Sequence, residues 1–313
     1  MQFYNLFFLF CFICNFLNGW KLTVMTRPVG KNFPWEHKAV MRSLLQGLQK
    51  IDIPFNYNPH NITDIGDVVM VVSCEDAVKQ AVNFKKNGRI KKLLVGPFFV
   101  PHQVNYKEID LFFVPSEPVI RMCSDMLANF SIRCAVWYAG IDEKYWMPTI
   151  FNYQKSKDVL VYWKNEEEQF CKQVENLLRR YGWNPKRIKY GNYNIQQYKK
   201  VLSECSFAVF LSRSESQGMA LAEAWAMDIP TFPWNPMLLH AFGHSFDYIS
   251  SCPYLTSATG ISWKNILDFE SILKSLDKLL PTFSPRNWVL ENMTDEISVR
   301  LLVEIIEREL WLS

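Results

Sequence analysis

Phe207-Ala-Val-Phe-Leu-Ser-Arg-Ser-Glu215-Ser-Gln-Gly218-Met-Ala-Leu-Ala-Glu223-Ala-Trp-Ala-Met-Asp-Ile-Pro230 is the stretch that decides the fold of this chain. Its first five residues are apolar, the mark of a strand buried on both faces. Ser212 to Gln217 are polar and read as a loop. Gly218 opens a run of good helix formers that closes near Asp228, just ahead of Pro230. The local order is therefore strand, loop, helix. A helix that starts at the carboxyl end of a strand aims its free N–H groups and positive dipole end at the crevice there, a place for a phosphate or another anion. Glu223 lies about one and a half turns into this helix. Helical side chains lean toward the N-terminus, so its carboxylate reaches back toward the crevice, where it can accept hydrogen bonds from two sugar hydroxyls. Glu215 sits in the loop itself, closer to whatever lies in front of the helix.

Two glutamates at this spacing occur by chance in most chains of this size. What carries weight is their company: a buried strand, a Ser-rich loop, a Gly-opened helix and a closing Pro. Together these resemble the Glu-x7-Glu donor-binding signature of the retaining, group 1 glycosyltransferases. Those enzymes have the GT-B fold, an α/β architecture of two Rossmann-like domains facing across a cleft. The resemblance implies that Glu215 and the backbone of Gly218, Met219 and Ala220 meet the donor sugar, and that Glu223 meets the nucleotide ribose.

Working outward, a second strand–loop–helix precedes this one. Val159-Leu-Val-Tyr-Trp163 is a strong strand with Lys164 at its carboxyl end, and Glu167–Tyr181 carries Phe170, Val174, Leu177 and Leu178 on one helical face. Ligands of open parallel sheets gather outside such strand ends. A lysine there can hold a diphosphate and stabilise the charge that develops on it as it leaves. Lys164 is the first candidate for this role and Arg213 the second; the bland alternative for Lys164 is a solvated strand-end lysine. Arg187–Tyr190 reads as a short strand, Ile195–Ser203 as a helix and Thr231–Trp234 as a strand. Asp268–Leu280 and Thr294–Leu310 read as amphipathic helices.

Toward the N-terminus, Lys21–Met25 reads as a strand, Thr26–Pro34 as a loop and His37–Lys50 as a helix through Val40, Leu44, Leu45 and Leu48. The loop carries Gly30, which matches the donor-facing glycine of the resembling family; its plain alternative is a turn glycine. The complete G-x-G-x-x-G is missing, which disfavours a dinucleotide cofactor. Strands at Asp67–Ser73, Leu93–Val95, Leu111–Val114 and Cys134–Tyr138, with the helix Glu75–Lys86 among them, argue for a parallel sheet. Ala139-Gly140-Ile141-Asp142, with Trp146 and Pro148, is similar to the segment joining the two domains of that family, and the hinge falls near Met147–Asp158. Ser284-Pro285-Arg286 resembles its C-terminal segment, which packs back on the first domain. The expected division is an apolar leader (1–19), an acceptor domain (20–147), a nucleotide-sugar donor domain (148–283) and a returning C-terminal helix (284–313).

Composition narrows the classes. The 313 residues are 49% hydrophobic with a net charge of +3, which suits a globular chain and does not suggest nucleic acid. Eight scattered cysteines form neither a zinc pattern nor a disulfide framework, and reduced cytosolic thiols are the expectation. Phe3–Leu17 is almost wholly apolar, lacks a basic leader and is short for a membrane span. It allows three readings: a weak signal peptide, a membrane-surface anchor or a misplaced start. The expectation is a cytoplasmic protein, membrane-associated if that segment anchors it.

The resembling family often carries a first-domain histidine that contacts the donor sugar, but the sequence does not place it: His37, just past the first loop, and His102, just past Gly96-Pro97, read as ordinary surface or loop histidines. With no Asp-x-Asp, no metal is expected. The expected activity is a metal-independent, hexosyltransferase-type transfer of a sugar from a nucleotide-sugar donor to a glycan, lipid or protein acceptor, without a cofactor. Retention of configuration is what the resemblance implies. The alternatives are a GT-B epimerase or phosphorylase, and a non-catalytic exported two-lobed binding protein.

Overall fold

The computed structural model describes residues 21–26, 35–97, 106–126, 132–148, 156–164, 166–241 and 243–311. The apolar leader, Gly30 and His102 lie outside them. The described residues form two compact units. One holds those up to Val114, Cys123–Trp137 and those from Arg300 on; the other holds Pro115–Met122 and Tyr138–Val299.

The first unit is built on β1 (Leu22–Thr26), α1 (Trp35–Lys50), β2 (Phe55–Tyr57), β3 (Val68–Val72), α2 (Glu75–Lys86), β4 (Lys92–Val95) and β5 (Leu111–Val114). Helix α3 (Glu117–Met126) begins among the residues of the second unit and ends in the first, and β6 (Cys134–Val136) follows. The sheet order is β2-β1-β3-β4-β5-β6, parallel throughout. Val68-Val-Met-Val-Val72 is fully buried, as a central parallel strand covered on both faces must be. Strand β2 escapes the sequence pattern because it is a three-residue, half-buried edge strand. Helix α3 escapes it because Ser116-Glu-Pro118 looks like a stop, whereas proline in the first helical turn forfeits no intrahelical bond.

The second unit alternates β7 (Asp158–Trp163), α4 (Glu168–Arg180), β8 (Asn184–Lys189), α5 (Ile195–Leu202), β9 (Phe207–Leu211), α6 (Met219–Ala226) and β10 (Thr231–Trp234). These strands form a parallel sheet in the order β10-β9-β7-β8. Side chains alternate across β7 and separate two cores. Val159 and Val161 pack with α4 through Cys171, Val174, Leu177 and Leu178. Leu160 and Tyr162 pack with Tyr198 of α5 and with Leu221, Ala222 and Trp225 of α6. Strand β8 starts earlier than its apolar pattern suggests, because an edge strand tolerates Pro185.

A hairpin of β11 (Leu239–Ala241) and β12 (His244–Phe246) follows, then α7 (Ile266–Lys274), α8 (Leu276–Leu279), α9 (Pro285–Asn292) and α10 (Asp295–Trp311). The single helix expected over Asp268–Leu280 is interrupted at Ser275, whose hydroxyl donates to the carbonyls of Ser271 and Ile272. The unit division at Trp137/Tyr138 lies ahead of the 147/148 boundary drawn from sequence. Tyr138–Pro148 belongs with the second unit, where Ile141 bridges to Thr294 and Trp146 is buried in the core of α5 and α6.

One expectation is corrected. Among the described residues no helix is long and apolar enough to cross a membrane. The segment on which a membrane-associated cytoplasmic protein was expected lies outside those residues, so the structure lends that localisation no support. The six described cysteines are free thiols, and all but Cys134 are buried. Burial, aided by the nearby Cys134, pushes the Cys123 thiol up to about 12.

Candidate donor site in the second unit

From β7 the chain runs to β8 on one side of the sheet, whereas β9 lies on the other. The carboxyl ends of β7 and β9 therefore form the topological switch point, where open α/β sheets take their ligands. Lys164 follows β7, and the Ser212–Gly218 loop follows β9. The registered pair Trp163 and Leu211 ends both strands at one level, and Lys164 N–H donates to Leu211 O at 2.9 Å, extending the ladder by one residue. Residues 51 apart in sequence thereby become neighbours.

Lys164 Nζ donates to both carboxylate oxygens of Glu215, at 3.0 and 2.9 Å. Ser212 Oγ donates to Glu215 Oε1 at 2.9 Å, and Glu215 N–H donates to Ser250 O at 3.1 Å. The ammonium also lies 4.6 Å from the centre of the Tyr190 ring, at the end of β8. Both side chains keep about a fifth or less of their surface exposed, 21% and 16%, so water screens this pair only in part. Beneath it, burial first, then Tyr193, and more weakly Tyr198 and Glu215 hold the Tyr162 phenol well above its usual range.

Arg213, the second candidate for the diphosphate, is directed elsewhere. Its guanidinium donates to Glu166 at 3.0 Å and lies 5.1 Å from the Trp234 ring centre. Burial holds the Glu166 carboxyl above its usual value despite that partner.

Gly218 is the N-cap of α6, with φ 83 and ψ 51. That left-handed conformation is why glycine stands here. A Cβ would also press within 3.0 Å of Leu221 Cδ1. Met219, Ala220 and Leu221 follow in the first turn, whose N–H groups have no partner within the helix. Glu223 is on the next turn and is buried, 5% exposed, near Tyr198 of α5. Burial and then the charge of Glu223 hold the neighbouring Tyr198 phenol far above its usual range.

The structure thus gathers Lys164, Glu215 and Gly218–Ala220 at one end of the sheet, with Glu223 buried one turn into α6 and Arg213 turned aside. Sequence reasoning passed over Ser212, Tyr190, Tyr198 and Gln217. Tyr190 carried a usable signal, a strand end followed by Gly191, and Ser212 another, the first polar residue after a buried strand.

No family model and no curated protein matches the chain. Solved structures do. AviGT4, a glycosyltransferase involved in avilamycin A biosynthesis, superposes with a TM-score of 0.54 at 9% identity, covering 93% of this chain and 98% of that one. The lipopolysaccharide outer core galactosyltransferase WaaB, in apo form, gives 0.53 at 11% identity, over 93% and 99%. The catalytic domain of starch synthase IV from Arabidopsis thaliana, bound to ADP and acarbose, gives 0.53 at 8% identity, over 78% and 73%. At such identities the likeness is one of fold, and the fold is GT-B.

Proposed function

We propose that this chain is a glycosyltransferase that moves a hexose from a nucleotide-sugar donor to a glycan, lipid or protein acceptor, with retention of configuration. The observation that carries this proposal is the Lys164–Glu215 pair beside the N-terminus of α6, at the switch point of a parallel sheet. A diphosphate in front of α6 meets the N–H groups of Met219 and Ala220 and the helix dipole. Lys164 Nζ takes up charge on the leaving diphosphate, and Glu215 accepts hydrogen bonds from hydroxyls of the departing sugar. Glu223, buried one turn into α6, receives the ribose. These groups account for the charge of the leaving diphosphate without a metal ion. The fold likeness to chains described as glycosyltransferases, one solved with ADP and acarbose, supports the same reading.

Thermal unfolding against UDP, GDP, ADP and CDP sugars tests it. The true donor at about a hundred times its Kd stabilises the protein by roughly 2.7 kcal/mol. No shift with any member of the panel sinks the proposal.

A further inference from the structure

Gln217 lies between the two functional landmarks of the loop, one residue before Gly218 and two after Glu215. It is a buried polar side chain, 7% exposed, and its amide is spent on a single partner. Ala139 N–H donates to Gln217 Oε1 at 2.9 Å, while Gln217 Nε2 donates to Ala139 O at 2.7 Å. The side chain thus closes both backbone groups of one residue, as a neighbouring strand would. Ala139 is fully buried, so its N–H and C=O are shielded from bulk water and depend on a partner inside the protein.

What Gln217 grips is itself fixed. Gly140 packs so closely on the α9–α10 junction that a Cβ would lie 2.5 Å from Asp295 Cα and Thr294 O. Ile141 N–H donates to Met293 O at 2.8 Å, and Ser298 Oγ donates to Tyr138 O at 2.5 Å. Residue 216 is tied as well, since Ser116 Oγ donates to Ser216 O at 2.6 Å. Loops ordinarily cost conformational entropy to order. Here the cost is met inside the second unit before any ligand arrives.

We infer that Gln217 is a positioning residue: by clamping Ala139 it sets the direction of the α6 first-turn N–H groups and the place of Glu215, and so makes the loop selective for a diphosphate. This rests on the donor-site reading above. The helical N–H groups meet phosphate, so their aim matters most for the second phosphate, the one a monophosphate lacks.

The test compares wild type with Gln217→Met, which keeps length and removes both donor and acceptor, and with Gln217→Glu, which keeps only the acceptor for Ala139 N–H. Calorimetry reads affinities for the nucleoside diphosphates and matching monophosphates of U, G, A and C. Hydrogen exchange reads peptides covering 212–222 and 137–142. In Gln217→Met, diphosphate affinity falls tenfold or more, monophosphate affinity changes less than threefold, and exchange quickens in those peptides alone. Gln217→Glu, which sets a carboxylate oxygen against Ala139 O, quickens exchange in the same peptides. Equal losses for both nucleotides, or unchanged exchange in folded variants, overturn the inference. If wild type binds no nucleotide, the donor-site reading fails, and the exchange data alone then uphold or overturn the clamp.

Discussion

Lys164 and Glu215 form a chelated ion pair across the ends of two adjacent parallel strands, with the ammonium nearly equidistant from both carboxylate oxygens at 3.0 and 2.9 Å. The cation that would meet a diphosphate is therefore already engaged by the carboxylate that would meet the sugar. Glu215→Gln removes the competing charge and frees Lys164. Affinity for the free nucleoside diphosphate is expected to hold or rise, while turnover of the donor drops by roughly a hundredfold. Lys164→Ala removes charge-assisted hydrogen bonds worth about 1.5–3 kcal/mol, so nucleotide affinity falls about tenfold or more. Calorimetry on the two variants decides the matter; the same direction of change in both contradicts the assignment.

Glu223 is expected to act through the nucleotide rather than the sugar. Glu223→Gln lowers nucleoside diphosphate affinity by about tenfold, the loss of one charge-assisted hydrogen bond. Glu223→Ala carries an added stability cost of about 1–3 kcal/mol, because it leaves a cavity where a buried side chain, 5% exposed, stood. Paired denaturation and binding curves separate the two effects, and a Glu223→Gln variant with wild-type affinity refutes the role.

Gly218 cannot be replaced without strain at φ 83. Gly218→Ala is expected to lower stability by about 1–2 kcal/mol, the usual cost of a left-handed residue with a Cβ. It also tilts the first turn of α6, so nucleotide affinity falls with it. Urea denaturation checks the first outcome and calorimetry the second.

Chelation is expected to leave the activity in place. Lys164 and the α6 dipole take the charge on the leaving diphosphate in the proposed scheme. The measurement is turnover in excess EDTA. Complete loss, restored by Mg²⁺ or Mn²⁺, shows that the leaving group is handled in another way.

Asp228, which ends α6 in a left-handed turn at φ 63, has its carboxyl pKa raised by burial, opposed by the Arg286 N–H at 3.2 Å and by the Arg286 charge. The folded protein therefore holds this proton to higher pH than the unfolded chain does. Its contribution is fully present below the ordinary Asp range and is lost as pH rises through the raised folded value. Asp228→Asn still accepts from Arg286 N–H and tolerates the left-handed turn. Asp228 is nonetheless exposed to solvent, which screens the effect, so the variant's melting temperature is expected to exceed that of wild type at pH 7 by at most about 1 °C. The gap closes in acid below the ordinary Asp range; a gap that widens in acid refutes the sign.

Local pattern alone determined the repeating strand–loop–helix order, because buried parallel strands are apolar runs and their covering helices show one apolar face. It placed Phe207–Leu211 correctly, and it put Gly218 at a helix start, since both follow from neighbouring residues. It could not reveal β2, whose three residues carry no period, or α3, whose proline mimics a stop. Nor could it pair the charges. Lys164 and Arg213 look alike as strand-end cations, yet one turns to Glu215 and the other to Glu166 and Trp234. The join of Gln217 to Ala139, 78 positions away, is equally invisible in either segment. Which cation meets which carboxylate depends on strand order and register, and those are set by the packing of the whole sheet rather than by any one stretch of chain.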